Sequence, residues 1–111
     1  YAYSTTSKPG WFLFTGFVKH DLQTGESLTV MLDDGRYGSE APFAPRVGAT
    51  DEDEGYLVSF ITDENRGTSE CILIDCKRFA EGPVCRIALP HKISSGTHAH
   101  WVDRATLDKH R

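Results

Sequence analysis

The chain is poor in sulfur, with one methionine and three cysteines, at 71, 76 and 85. The cysteines are odd in number and have no paired CxxC spacing, so they do not form a zinc-site pattern. Cys71 and Cys85 lie in apolar, strand-like runs, and buried free thiols in a reducing, cytoplasmic compartment are expected. No apolar run approaches the roughly 20 residues a membrane helix needs, and the start lacks the basic-then-apolar layout of a signal peptide, so a soluble protein is expected. Basic excess is missing as well. Twelve Lys and Arg stand against sixteen Asp and Glu, the net charge is −4, and the signs are interspersed, which argues against a nucleic-acid partner. No Gly-x-Ser-x-Gly, phosphate-cradling loop or dinucleotide fingerprint occurs, removing the usual local signals of hydrolases, kinases and Rossmann enzymes.

What remains is β-structure. The 111 residues, 39% hydrophobic and 11% aromatic, suffice for one modest domain. Ten glycines and five prolines punctuate short apolar runs, which is neither a linker nor a low-complexity pattern. Residues 10–18 are apolar on consecutive positions, which predicts an inner strand covered on both faces. Asp21-Leu22-Gln23-Thr24-Gly25-Glu26 supplies a turn, with Gly25 suited to a left-handed position, and residues 27–32 return as the second arm of a hairpin. Residues 41–47 read as a short strand weakened by Pro42 and Pro45. Strands at 55–61 and 71–75 flank a turn at 63–68, a loop follows at 78–83, and residues 84–90 alternate like an outer strand. No helix is required anywhere.

The fold class is therefore all-β. Two strand-Asp-turn-Gly-strand phrases, at 18–30 and 73–87, put Asp21 and Asp75 in similar contexts, at a spacing approaching the roughly 40–50 residues of a propeller blade. Stacked blades would also explain strands that are apolar on both faces. Two blades cannot close a ring, and the chain begins Tyr1-Ala2-Tyr3 without methionine and already in strand-like residues. A fragment of a larger fold, with an upstream part, is expected.

Chemistry-bearing residues are few. A strand repeats every two residues, so if 97–101 is extended, His98 and His100 share a face. Two imidazoles suit zinc, copper or iron but do not fill a site, and this spacing alone favours surface or hydrogen-bonded strand histidines over metal ligands. Glu40 precedes an apolar stretch and is either a solvated loop residue or a carboxylate orienting a metal-bound imidazole. Asp51-Glu52-Asp53-Glu54 lacks the spaced ligands and central glycine of a calcium loop and reads as a solvated turn. His20, His91 and His110 have no partner visible in sequence.

Four phrases in order resemble one family. They are Gly10-Trp11-Phe12-Leu13-Phe14 running into Val18-Lys19-His20-Asp21-Leu22; Ser39-Glu40-Ala41-Pro42-Phe43-Ala44-Pro45-Arg46; Glu52-Asp53-Glu54-Gly55-Tyr56-Leu57; and Leu89-Pro90 through Ser95-Gly96-Thr97-His98 to Trp101. From Tyr1 to Val102 the chain is similar to the C-terminal end of carotenoid cleavage oxygenases, most of all the bacterial lignostilbene dioxygenase branch. The resemblance implies the C-terminal blades of a seven-bladed β-propeller, with residues 1–102 as about its last two blades and 103–111 as a tail. It implies a non-haem Fe(II) held by four histidines, the last in a Gly-x-His motif, which here is His98. It also implies that Glu40 accepts a hydrogen bond from an iron-bound histidine, expected to lie upstream. The family often has proline directly after this glutamate, where this chain has Ala41, and a small residue or threonine in place of His100. Phe43 and Thr97 are implied near the iron or along a substrate tunnel.

The activity so implied is oxidative cleavage of an alkene C=C bond by O2 to two carbonyl products. The substrate is expected to be a stilbene-like phenolic dimer, with a carotenoid or apocarotenoid second. Only one of four ligands lies in this chain, so the rest of the propeller is required and the isolated segment is expected to be inactive. A noncatalytic propeller segment that binds protein, and an iron-dependent isomerase of the same family, remain the alternatives.

Overall fold

The computed structural model describes residues 1–94 and 96–111. Ser95, within the Ser95-Gly96-Thr97-His98 phrase, lies outside the described residues. Among the described residues eight strands follow one another: β1 (Ala2–Ser7), β2 (Phe14–His20), β3 (Ser27–Met31), β4 (Arg36–Gly38), β5 (Phe43–Pro45), β6 (Gly55–Asp63), β7 (Thr68–Asp75) and β8 (Pro83–Ala88). The strands β1, β2 and β3 form one antiparallel meander. In the second, β6 is flanked by β7 and β8 on one side and, on its other edge, by β4 and β5 laid end to end. This second meander has the four-row form of a propeller blade. The pair Phe14 and Gly38 links the two.

Turn chemistry sets the hairpins. Asp21 accepts the backbone N–H groups of Gln23 and Thr24 at 2.9 and 3.1 Å, and Gly25 takes a φ of 78°, which its missing Cβ permits. The repeat of this turn is Asp63, which accepts Asn65 and Arg66 at 3.0 Å each before Gly67. Asp75, the expected counterpart of Asp21, instead caps a short 3₁₀ helix, Cys76–Glu81, by accepting Lys77 N–H. A loop was expected there. A second helix, α1 (Arg104–Lys109), starts at Asp103, which accepts Thr106 N–H at 2.6 Å. The expectation of no helix is therefore corrected. Aspartate capping donors one turn ahead can start a short helix without any apolar periodicity.

The core lies between the meanders. Phe17 and Val30 meet Leu57, Ile61, Ile72 and Ile74, and Cys76 and Phe79 close one end. Full burial of each large apolar side chain is worth about 1.5–3 kcal/mol. One face of β6 and β7 supplies this contact. The other carries Val58, Phe60, Leu73, Cys85 and Ile87 in register, and Phe60, Ile87 and Val84 stay 43%, 48% and 42% exposed. Cys85 is therefore exposed, contrary to expectation, while Cys71 and Cys76 are the buried thiols.

Two further expectations change. The inner strand begins at Phe14 rather than at residue 10, because Lys8-Pro9-Gly10-Trp11 makes a β-turn, with Trp11 N–H on Lys8 O at 3.0 Å and Gly10 at φ 77°. Pro-Gly turn chemistry overrides the apolar run, leaving Trp11 and Phe12 about two-thirds exposed, at 66% and 67%. The acidic run is not wholly solvated either. Asp53 is buried and accepts Lys19 Nζ at 2.8 Å, and that same ammonium donates to Cys76 O at 2.7 Å.

A register shift matters most for the site. Gly38 opposes Ile61 and Phe43 opposes Leu57, so one more residue lies between Gly38 and Phe43 than between Ile61 and Leu57. Residues 39–42 are thus a bulge on the edge of β6, and such bulges re-aim side chains.

Candidate metal centre

Glu40 sits in that bulge. Its carboxylate reaches a segment almost sixty residues away, where Oε2 accepts the backbone N–H of Ala99 at 2.8 Å and Oε1 meets His98 Nδ1 at 3.2 Å. The Ala99 N–H first, and His98 with it, hold the Glu40 carboxyl below the usual carboxylate range. An ionised carboxylate only accepts hydrogen bonds, so the proton in this pair resides on His98 Nδ1. In the neutral ring that leaves the Nε2 lone pair free, and the His98 side chain is 87% exposed. This is the tautomer a metal-ligating histidine adopts when a carboxylate backs its other nitrogen.

The segment that carries His98 is not a strand. Residues 96–101 have no ladder pairing, so the shared-face argument for His98 and His100 has no basis here. His100 is exposed. Thr97 is exposed beside His98. Phe43 stacks on Tyr3 with ring centroids 5.8 Å apart and packs on the core. A groove of about 390 Å³ does run beside Glu40, between Tyr3, Ser4 and Thr5 of β1 and the Ala41 and Pro42 side of the bulge, with Ala99 at its rim. His20 bridges Ser4 and Ser27 at 2.9 Å each. His91 and His110 are exposed.

Glu40 and His98 were both legible as candidates, but their pairing was not. The expected partner of Glu40 was an upstream histidine, whereas the structure places it against His98. The second anchor, the Ala99 N–H, is a backbone group that no sequence pattern distinguishes. Among the described residues no cluster of three or more His, Cys, Asp or Glu side chains could hold a metal. Of the described residues, Glu40 and His98 thus offer one carboxylate-backed imidazole, a donor that would fit a single position of a multi-histidine site.

A carboxylate-backed imidazole thus sits beside two antiparallel meanders in a segment of an all-β propeller. Residues 1–103 match the Retinal pigment epithelial membrane protein (RPE65) family. The chain belongs to this family, that of the carotenoid cleavage oxygenases. It is 39% identical over 108 residues to carotenoid 9,10(9',10')-cleavage dioxygenase 1 of Arabidopsis thaliana, covering 86% of this chain and 20% of that protein. It is 29% identical over 68 residues to lignostilbene-alpha,beta-dioxygenase isozyme III of Sphingomonas paucimobilis, covering 61% of this chain and 14% of that protein. Its fold matches the crystal structure of Pseudomonas brassicacearum lignostilbene dioxygenase with a TM-score of 0.81 and 24% identity, over 90% of this chain and 23% of that one. The chain spans about a fifth of the length of the first carotenoid-cleaving relatives it matches. No described helix is long and apolar enough to cross a membrane.

Proposed function

We propose that this chain contributes the last blades of a non-haem iron(II) oxygenase that cleaves an alkene C=C bond with O2 to two carbonyl products. His98 is the iron ligand it supplies, and Glu40 orients that ligand. The observation that carries this is the Glu40 carboxylate gripping His98 Nδ1 and Ala99 N–H together, which aims one imidazole and leaves Nε2 bare. A ferrous ion bound there supplies the O2 chemistry. The chain's own residues supply orientation: Glu40 sets the ring plane and the proton position, and the Ala99 bond fixes the backbone that carries the ring.

Family membership supports the reaction class, since the relatives are dioxygenases of carotenoids and of lignostilbene. The substrate is an apolar or phenolic conjugated alkene, of stilbene or carotenoid type. Thr97, exposed beside His98, lines its approach. Residues 1–102 act as the propeller part and 103–111 as a tail. Three free thiols are consistent with a reducing, cytoplasmic compartment.

The test uses the full-length protein with a stilbene and a carotenoid substrate under labelled O2. Wild type is expected to copurify with iron and to place label in both carbonyl products, and His98→Ala to lose both properties. Iron retention and unchanged cleavage in His98→Ala would refute the assignment. An isomerised, unlabelled product would shift the reading to the isomerase.

A further inference from the structure

The bulge that carries Glu40 removes ladder hydrogen bonds at a buried position, and two serines restore them. Ser39 N–H still donates to Phe60 O at 2.9 Å. Beyond that point the regular ladder fails. Phe60 N–H donates to the Ser39 side-chain oxygen at 3.0 Å instead of to a main-chain carbonyl. The Ser39 carbonyl accepts from Ser59 Oγ at 3.1 Å, and Ser39 Oγ also bonds the Glu40 carbonyl at 2.8 Å and approaches Ser59 Oγ at 3.3 Å. Both serines are buried, 5% and 2% exposed. Packing beside the bulge is tight: a Cβ added to Gly38 would come within 3.0 Å of the Phe17 ring and 3.2 Å of Ser59 Oγ.

We infer that Ser39 and Ser59 are positioning residues whose hydroxyls hold the bulge open in one geometry, so that the Glu40 carboxylate meets His98 and Ala99. The inference rests on the reading of His98 as a metal ligand. Neither serine touches His98; both act through the direction of the Glu40 main chain. A bulge held only by its ends would let that carboxylate swing, and the imidazole would lose its fixed proton position.

The experiment compares Ser59→Ala and Ser39→Ala with Ile72→Val in the full-length protein. Ile72 lies opposite Ser59 on β7 and its side chain has no hydrogen-bonding group, so Ile72→Val reports what a loss of packing beside Ser59 does without removing a bulge hydrogen bond. In the metal-free protein, nitrogen-15 NMR of the histidine rings reads whether His98 carries its proton on Nδ1. Cobalt(II) titration then reads metal affinity. The expected result is that each serine variant loses the single Nδ1–H form of His98 and binds cobalt about tenfold or more weakly, while Ile72→Val, at a comparable loss of melting temperature, changes neither. Wild-type tautomer and affinity in the serine variants, or equal effects in Ile72→Val, would overturn the inference. If Ser59→Ala does not fold, Ser59→Cys, of similar size and with a weaker donor, is judged by the same two readouts. His98→Ala separates the two levels: cobalt affinity unchanged in that variant defeats the ligand reading, whereas the metal-free NMR signal still judges the serine pair.

Discussion

Replacing Asp53 and replacing Lys19 should have unequal costs, although they are the two halves of one buried ion pair. The side chains are 8% and 10% exposed and 2.8 Å apart. Removing one member of a buried pair typically costs about 3–5 kcal/mol, because the other charge is left uncompensated. Here the partners have different reserves. Without Lys19, Asp53 keeps a second ammonium, Lys77 Nζ, at 2.9 Å. Without Asp53, Lys19 keeps, among the described residues, the Cys76 carbonyl at 2.7 Å and the Tyr1 ring at 4.2 Å. Asp53→Ala should therefore cost the full range of about 3–5 kcal/mol. Lys19→Met should cost about 1.5–3 kcal/mol, the worth of one lost bond to a charged group.

Native-state hydrogen exchange of the β2 amides paired with β1 and β3 measures this locally. The difference of about 2 kcal/mol corresponds to roughly thirtyfold faster opening in Asp53→Ala than in Lys19→Met. Burial works against the charge on Asp53, but Lys19 and Lys77 hold its carboxyl below the ordinary value. A group depressed on folding stabilises fully above its unfolded pKa and loses that contribution as pH falls through the lower folded one. The wild-type advantage over Asp53→Ala should accordingly be flat at neutral pH and shrink only in acid below the usual carboxylate range. Equal costs for the two variants, or an advantage that fades near neutrality, would refute the reasoning.

Three other outcomes are expected. Glu40→Gln in the full-length protein should weaken metal binding by about 10–100-fold while leaving the fold intact, measured by cobalt titration; because the Ala99 N–H and His98 lower the Glu40 pKa, wild-type affinity should show no dependence on this group until pH drops below the ordinary carboxylate range. The isolated 111-residue chain should bind neither iron nor cobalt tightly in a one-to-one complex and should cleave no alkene, checked by calorimetry and product analysis, since it offers one imidazole ligand. In that isolated chain a thiol reagent should label Cys85 rapidly and Cys71 and Cys76 only on unfolding, consistent with their exposures; in the full-length protein Cys85 labelling should slow as a neighbouring blade covers the outer face of β7 and β8.

Much of the architecture was legible because it rests on local chemistry. The Asp21 to Gly25 turn and the turn at Asp63 are written in residues that bond their own backbone, so sequence order alone places the hairpins they close. Local chemistry also misled where two signals competed. Trp11 to Leu13 read as strand from apolarity, yet Pro9-Gly10 turned the chain before the strand began. Asp75 and Asp103 start helices that no hydrophobic period announces.

By itself the sequence determined an all-β chain, its turns, its family and two of the polar residues at the site, since each follows from short-range bonding or from an ordered set of phrases. Only the tertiary structure decided that Glu40 faces His98, that Asp53 is buried against Lys19, and that Ser39 and Ser59 mend the ladder at the bulge. Those contacts join residues twenty to nearly sixty positions apart, and the ones at Glu40 and the two serines depend on a one-residue register shift along β6. A shift of that kind turns side chains without altering composition or periodicity, so it becomes visible only when the strands are laid together.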